Sequence, residues 1–156
     1  MASLKGRPKP LRAPGRLPER TRGALLAAAR AVRSHAHAPY SRFTVGAAVL
    51  DEAGRIHAGC NVENASYGLT VCAERNAVAA AVAAGAKRIQ AVVVVADPPA
   101  TPCGACRQVL AELGGPATEV GVVGPTTGGR GWPLRALLPA AFSFTAPRKR
   151  KATSGR

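Results

Sequence analysis

Four residues have the types and the spacing of a metal-dependent hydrolase. Cys103 and Cys106 form a Cys-x-x-Cys pair, Cys72 lies about thirty residues earlier, and Glu74 follows Cys72 by two positions. Two cysteines at this spacing at the start of a helix can bind one metal ion, and Cys72 offers a third thiolate. Three protein ligands leave a tetrahedral zinc ion one position for water. The pattern predicts a zinc enzyme in which Glu74 lies beside the metal without being required to bind it.

The fourth cysteine, Cys60, is left over from this set. The Cys-x-x-Cys spacing and the lack of a recognisable secretory pattern favour reduced thiolates on a metal over disulfides. Because the sequence around Cys60 is apolar and typical of a strand, we expect a buried free thiol there. The alternative is a fourth metal ligand, which would close the site. The three histidines, His35, His37 and His57, are interpreted as surface or packed side chains.

The formal net charge of +14 is concentrated towards the two ends of the chain. Residues 1–22 contain seven Lys or Arg and one acid, and residues 147–156 contain five Lys or Arg and no acid, which leaves about +3 for residues 23–146. Both ends are rich in Pro, Gly, Arg and Ser without apolar periodicity, which predicts disordered basic extensions around one domain, residues 23–146. These extensions are either solvated or make weak, salt-sensitive contacts with a polyanion.

The sequence contains no apolar run of membrane-spanning length and no secretory pattern. A transit peptide is disfavoured because four prolines interrupt any amphipathic helix before Glu19. We therefore expect a soluble cytoplasmic protein without a membrane partner.

The elements that must position the four residues follow from apolar periodicity and from turn signals. In chain order they are a helix over 19–36, a strand over 43–50, a turn over 51–54, a strand over 55–60, a helix over 72–84, a strand over 89–96, a helix over 104–113, a strand over 118–123, a loop over 124–131, and a short helix or turn over 132–142 with Leu134, Leu137 and Leu138 buried. The uninterrupted apolar run at 91–95 suits a central strand covered on both faces. The order predicts an α/β sandwich of two or three layers around a mixed sheet.

The second and third predicted helices both begin at predicted metal ligands, just after strands. Their N-termini can therefore converge on one point. Helix N-termini carry partial positive charge and unpaired N–H groups, which lower the pKa of a nearby thiol.

Five sequence blocks together resemble a known family. They are Ala38-Pro39-Tyr40-Ser41-Arg42-Phe43-Thr44-Val45-Gly46-Ala47-Ala48, Gly59-Cys60-Asn61-Val62-Glu63-Asn64-Ala65-Ser66-Tyr67, Cys72-Ala73-Glu74-Arg75-Asn76-Ala77, Pro102-Cys103-Gly104-Ala105-Cys106-Arg107-Gln108 and Leu137-Leu138-Pro139-Ala140-Ala141-Phe142. In this order they resemble the cytidine deaminase family of small zinc-dependent nucleoside deaminases. The resemblance covers nearly all of residues 23–142. It implies a layered α/β sandwich with a mixed five-stranded sheet flanked by helices, a Zn²⁺ cofactor and a homotetramer.

The resemblance also implies a role for each matching residue. The zinc ligands would be Cys72, Cys103 and Cys106, Glu74 would be the proton shuttle, Arg75 would hydrogen-bond the thiolates, and the nucleoside would be contacted by Phe43, Asn61, Glu63, Tyr67, the backbone N–H of Ala73 and Phe142, the last commonly from a neighbouring subunit. A carboxylate at the ribose 3′-oxygen suits a free hydroxyl and would repel a phosphodiester, so the implied substrate is a nucleoside. Simpler alternatives are a surface Arg75, turn chemistry at Asn61 and core packing by Phe142.

The predicted function is hydrolytic deamination of cytidine and 2′-deoxycytidine in pyrimidine salvage. A close alternative is deamination of a modified cytosine nucleoside of the blasticidin type. From another class, the chain could be a zinc-stapled nucleic-acid-binding module with Cys60 as the fourth ligand and the basic ends as the binding surface. An RNA-editing deaminase lies between these readings, and Glu63 argues against it.

Overall fold

The structure is a computed structural model that describes residues 17–124 and 128–144. Residues 1–16 of the predicted N-terminal extension and the whole predicted C-terminal extension, residues 147–156, lie outside the described residues, as do residues 125–127 of the predicted loop and residues 145–146. Within the described ranges, no helix has the length and apolar character that crossing a membrane would require.

A mixed five-stranded sheet forms the middle of the molecule. Its strands are β1 (Val45–Asp51), β2 (Ile56–Cys60), β3 (Ile89–Ala96), β4 (Glu119–Val123) and β5 (Gly129–Pro133). They lie in the order β2-β1-β3-β4-β5, with β3 and β4 parallel and the other pairs antiparallel. The central position predicted for the apolar run of β3 is confirmed, and every residue of β3 except Gln90 is buried.

Helices cover both faces of the sheet. They are α1 (Glu19–Arg33), α2 (Ala73–Ala83), α3 (Gly104–Gly114) and the short α4 (Leu134–Leu137), with one turn of 3-10 helix at Tyr67–Leu69. Alternate residues of β1 contribute to different cores: Ala48 and Leu50 pack with Leu25 of α1, whereas Ala47 and Val49 pack in the cluster that contains α2. This alternation follows from the two-residue period of a strand. The predicted layered α/β sandwich is confirmed in its three-layer form.

Gly59 of β2 allows α2 to approach the sheet closely. A Cβ atom at this position would lie 2.9 Å from the carbonyl oxygen of Ala73 and closer still to the backbone of Asn76 and Ala77. Real Cβ atoms do not tolerate such contacts, so a side chain here would displace the first turns of α2. Gly59 therefore helps to place the helix that carries Glu74.

Two sequence predictions are wrong in part. The N-terminal extension does not reach residue 22, because α1 already begins at Glu19 and Leu17 packs against the α1 core. A strand, β5, pairs with β4 where a loop was predicted over 124–131 and a helix or turn from Trp132. This strand is rich in Gly and has few residues that favour β structure, so its conformation depends on pairing with β4. Of the leucines predicted to be buried, Leu134 is buried and Leu137 and Leu138 are half-buried.

Candidate active site

Three cysteine thiols meet where the N-termini of α2 and α3 converge. Cys72 is the N-cap residue of α2, Cys103 is the N-cap residue of α3, and Cys106 is buried in the first turn of α3. The Sγ atoms of Cys72 and Cys103 are 3.9 Å apart, and those of Cys103 and Cys106 are 3.6 Å apart. Tetrahedral zinc with Zn–S bonds of about 2.3 Å would require sulfurs about 3.8 Å apart. The donor set and its spacing therefore fit zinc.

Cys60 does not belong to this cluster. The group of possible metal ligands found among the described residues consists of Cys72, Cys103 and Cys106, whose ligand atoms lie within 4.8 Å of one another. Cys60 is a free, half-buried cysteine, and its carbonyl oxygen accepts a hydrogen bond from Asn76 of α2 at 2.8 Å. The free thiol predicted there is confirmed, although it is half-buried rather than fully buried.

Two thiols of the cluster, those of Cys72 and Cys106, have pKa values shifted in opposite directions. The hydrogen bond with Cys106 lowers the pKa of Cys72 to about 5, with a further contribution from Arg75, whose Nη2 lies 4.0 Å from the Cys72 sulfur. The Cys72 sulfur and burial in turn raise the pKa of Cys106. Zinc binds thiolates, so loading the site releases the remaining protons and depends on pH.

Arg75 is positioned as the resemblance implies. Its Nη2 donates to the carbonyl oxygen of Thr70 at 2.8 Å and also faces the Cys72 sulfur. Three thiolates on one divalent ion have a net negative charge, which a guanidinium and two helix N-termini offset. The geometry agrees with the role predicted for Arg75, which stays a prediction.

Glu74 lies in the first turn of α2 and lines a cavity together with Cys72 and Cys103. Its side chain is buried, with a relative exposure of 6% for the residue. Burial raises the pKa of Glu74, and the nearby Cys72 adds to this effect against hydrogen bonds from the backbone and from Cys106. A carboxyl group with a raised pKa beside a metal site is suited to accept and return a proton.

The cavity has a volume of about 310 Å³. Its wall includes most of the residues predicted to contact a nucleoside: Phe43, Asn61, Glu63 and Ala73. Thr70 and Thr101, for which no role was predicted, also line it. The volume lies at the lower end of the range for small-molecule sites, about 300–1,000 Å³.

Asn61 and Glu63 are held in the wall by hydrogen bonds to residues 40–45, which lead into β1 and include its first residue. Asn61 accepts from the backbone N–H of Val45 at 2.8 Å and donates to the carbonyl oxygen of Phe43 at 2.9 Å. Glu63 accepts from the backbone N–H groups of Tyr40 and Ser41 and from the Ser41 hydroxyl. Ser41 lies in the first of the five sequence blocks, and no function was predicted for it.

Two predicted substrate contacts, Tyr67 and Phe142, are not among the residues that line this cavity. Tyr67 is 79% exposed and packs edge-on against Tyr40, with ring centroids 6.4 Å apart. Phe142 is 74% exposed and borders a different cavity, and its carbonyl oxygen accepts from Gln108. The alternative of core packing for Phe142 is therefore wrong.

A three-thiol cluster with room for one more ligand, next to a buried carboxyl group, is characteristic of zinc-dependent hydrolases. Because the cavity is small and its walls hold an amide and a carboxylate, the site suits a small polar substrate.

Comparison with known proteins gives the family. Residues 20–122 match the cytidine and deoxycytidylate deaminase zinc-binding region. A cytidine deaminase of Sporosarcina psychrophila is 45% identical over 127 residues, 76% of this chain and 89% of that protein. The crystal structure of cytidine deaminase from Burkholderia pseudomallei superposes with a TM-score of 0.73 and 49% identity, over 77% of this chain and 98% of that one. The crystal structure of cytidine deaminase from Mycobacterium tuberculosis superposes with a TM-score of 0.69 and 44% identity, over 78% of this chain and 97% of that one. The chain belongs to the cytidine and deoxycytidylate deaminase family, which confirms the resemblance.

Proposed function

We propose that this chain is a cytidine deaminase that hydrolyses the 4-amino group of cytidine and 2′-deoxycytidine to give the uridine forms and ammonia. One observation carries the proposal: the buried Glu74 carboxyl group adjoins the three-thiol cluster and lines a small cavity with two of its cysteines. Because the substrate is a free nucleoside, the reaction would serve pyrimidine salvage. Reduced cysteines are typical of the cytoplasm, which supports that compartment.

The chain's own residues supply binding and proton transfer. When bound by Cys72, Cys103 and Cys106, zinc supplies Lewis acidity and makes water a nucleophile near neutral pH. Glu74 takes one proton from the attacking water and gives it to ring N3, and then takes the second proton of the same oxygen and gives it to the departing amine. Its raised pKa helps it to hold the proton between these steps.

The cavity wall orients the nucleoside. In the proposed binding mode, Phe43 packs beside the substrate, the N–H of Ala73 binds the pyrimidine O2, and Asn61 and Glu63 bind the ribose hydroxyls. An ionised carboxylate accepts but cannot donate hydrogen bonds, so Glu63 favours a free hydroxyl over a phosphodiester. This preference for a free hydroxyl supports a nucleoside substrate over an RNA substrate.

The exposed aromatic residues support a homotetramer. Tyr67, Phe142 and Phe144 are 79%, 74% and 80% exposed in the single chain. Phe142 and Phe144 border the same cavity, and exposed aromatic side chains grouped on a surface are typical of protein interfaces. We propose that Phe142 enters the cavity of a neighbouring subunit and stacks on the base, and that Tyr67 contacts the ribose region in the assembled enzyme.

The basic segments outside the described residues are proposed to contact a polyanion weakly. Residues 1–16 and 145–156 contain ten Lys or Arg and no acid. The described residues next to them, Leu17 and Phe144, border cavities on either side of the turn between α3 and β4. That turn lies at the Ile89 end of β3, opposite the catalytic cavity. Salt-sensitive binding of single-stranded RNA that is lost on removal of both segments would support this contact.

The first experiment follows the ultraviolet absorbance change from cytidine to uridine with the purified protein and with Glu74→Gln. Zinc content is determined on both, and Glu112→Gln on the exposed face of α3 serves as the matched control. We expect turnover by the parent and the control, and near-complete loss in a Glu74→Gln variant that retains zinc. If cytidine and deoxycytidine are both unchanged while zinc is bound, the proposal fails, and modified nucleosides followed by single-stranded RNA become the substrates to test.

A further inference from the structure

Ser41 is an exposed residue that joins two residues of the cavity wall. Its hydroxyl donates to Oε1 of Glu63 and accepts from the backbone N–H of Phe43 at 3.0 Å. Phe43 and Glu63 both line the catalytic cavity, whereas Ser41 is not among the lining residues. The hydroxyl therefore connects two parts of the wall, and its bond to Glu63 spans twenty-two residues of sequence.

The Glu63 carboxylate is held by three donors from one short segment. Its Oε2 accepts from the backbone N–H groups of Tyr40 at 2.9 Å and Ser41 at 3.2 Å, and its Oε1 accepts from the Ser41 hydroxyl. These bonds lower the pKa of Glu63, the Ser41 hydroxyl being the largest contributor, so the group stays ionised near neutral pH. An ionised carboxylate has about four acceptor positions, which leaves capacity for a donor from a ligand.

We propose that Ser41 is a positioning residue for nucleoside recognition, which fixes Glu63 as a preformed acceptor for the ribose 3′-hydroxyl. This inference rests on the proposed function of the cavity. A Glu side chain loses rotamer freedom when it binds a ligand, and a contact that already orders it in the free protein removes that cost from binding. Of the three contacts to Glu63, only the one to Oε1 depends on the identity of the side chain at position 41, because the two Oε2 donors are backbone groups.

The test compares Ser41→Ala and Ser41→Thr on cytidine and on 3′-deoxycytidine, with kcat and KM determined separately. Ser41→Ala should raise KM for cytidine by roughly three- to tenfold, less than the direct loss of a hydrogen bond to a charged group would cause, because the two backbone donors still hold the Glu63 carboxylate. Because this contact is remote from the reacting atoms, kcat should change by less than about twofold. With 3′-deoxycytidine the KM difference should disappear, since Glu63 then has no 3′-hydroxyl to accept. Ser41→Thr, which retains the hydroxyl, should restore KM for cytidine.

Two controls separate this effect from general damage. Ser34→Ala removes a hydroxyl that donates to the carbonyl oxygen of Ala31 at the end of α1, away from the cavity, and should leave both substrates unaffected. If Ser41→Ala unfolds, Ser41→Cys keeps a similar shape with a poor donor and should show the same selective rise in KM.

An unchanged KM for cytidine in Ser41→Ala overturns the inference, and so does an equal penalty on both nucleosides, which would indicate loop packing. Glu63→Gln distinguishes this failure from failure of the proposed binding mode. If Glu63→Gln raises KM for cytidine but not for 3′-deoxycytidine, and Ser41→Ala shows no such selective rise, only the role of Ser41 is wrong. If Glu63→Gln shows no selective rise either, the ribose contact of Glu63 is wrong and the inference falls with it.

Discussion

The molecule buries two carboxyl groups at opposite ends of its sheet, and they behave in opposite ways. Glu74 adjoins the cavity at the end where Val45 pairs with Ala96, and Asp51 lies at the other end, where it pairs with Ile89. Both are buried, Asp51 completely. The pKa of Glu74 is raised, whereas that of Asp51 is held well below its usual range.

The difference lies in the donors around each carboxyl group. Burial by itself would raise the pKa of Asp51, but His57 Nε2 at 2.9 Å, the backbone N–H groups of Ala53 and Arg55, and Arg55 Nε at 2.7 Å outweigh it. Around Glu74 burial prevails. Desolvation with few donors produces a group that can exchange a proton, and desolvation with many donors produces a fixed structural anion.

The largest expected effect separates the two groups by activity. Glu74→Gln should lower kcat for cytidine by about 10²–10⁴-fold, the usual contribution of a general acid–base group. Asp51→Asn should leave kcat within about twofold of the parent, because Asp51 is remote from the cavity. Both are measured by ultraviolet assay at saturating cytidine. A comparable loss in a folded, zinc-loaded Asp51→Asn would show that the contrast between the two ends is mistaken.

The metal content should distinguish the cluster from the leftover cysteine. Cys106→Ser removes one of three converging ligands and should strongly reduce bound zinc, whereas Cys60→Ser should retain the zinc content of the parent. The measurement is metal analysis after dialysis against a weak chelator. Loss of zinc in Cys60→Ser would instead favour the closed structural site of a nucleic-acid-binding module.

Of the two carboxyl variants, the one that keeps its activity should lose more stability. Asp51→Asn should lower the melting temperature by several degrees, since an amide cannot accept from all four donors that face the carboxylate. Glu74→Gln should leave it equal or raise it, because an ionised Glu74 with a raised pKa opposes folding increasingly as pH rises above about 4. Thermal unfolding of both variants at equal zinc loading tests this. A larger destabilisation by Glu74→Gln would reverse our assignment of structural and chemical roles.

The smallest expected effect is on the free energy of unfolding at acidic pH. The lowered pKa of Asp51 means that its contribution to stability is complete above its unfolded pKa of about 4 and is lost as pH falls below that value. The free energy of unfolding should therefore fall more steeply for the parent than for Asp51→Asn between pH 6 and pH 3. Urea titrations across this range, at matched zinc content, measure the difference between the two slopes. Parallel slopes would mean that Asp51 does not act as the described anion.

Much of the catalytic end could be predicted from the sequence because its signals are local. Cys72 and Glu74 are two residues apart, and Cys103 and Cys106 three, so one helix turn sets each pair. The other end was less predictable. Asp51 was interpreted as part of a turn, which it is, but its burial depends on β2 bringing His57 back alongside β1. The strand β5 was missed because pairing with β4, and not residue preference, makes it a strand.

The sequence by itself determined which groups are present for chemistry: three thiols, one carboxylate and the helix starts that carry them. Only the tertiary structure decided what each polar group does. It placed the Ser41 hydroxyl against Glu63 and the Cys72 and Cys103 sulfurs together, and it gave Asp51 four donors. The physical reason is that a protonation state depends on desolvation and on nearby donors and charges, and folding brings these from distant parts of the chain.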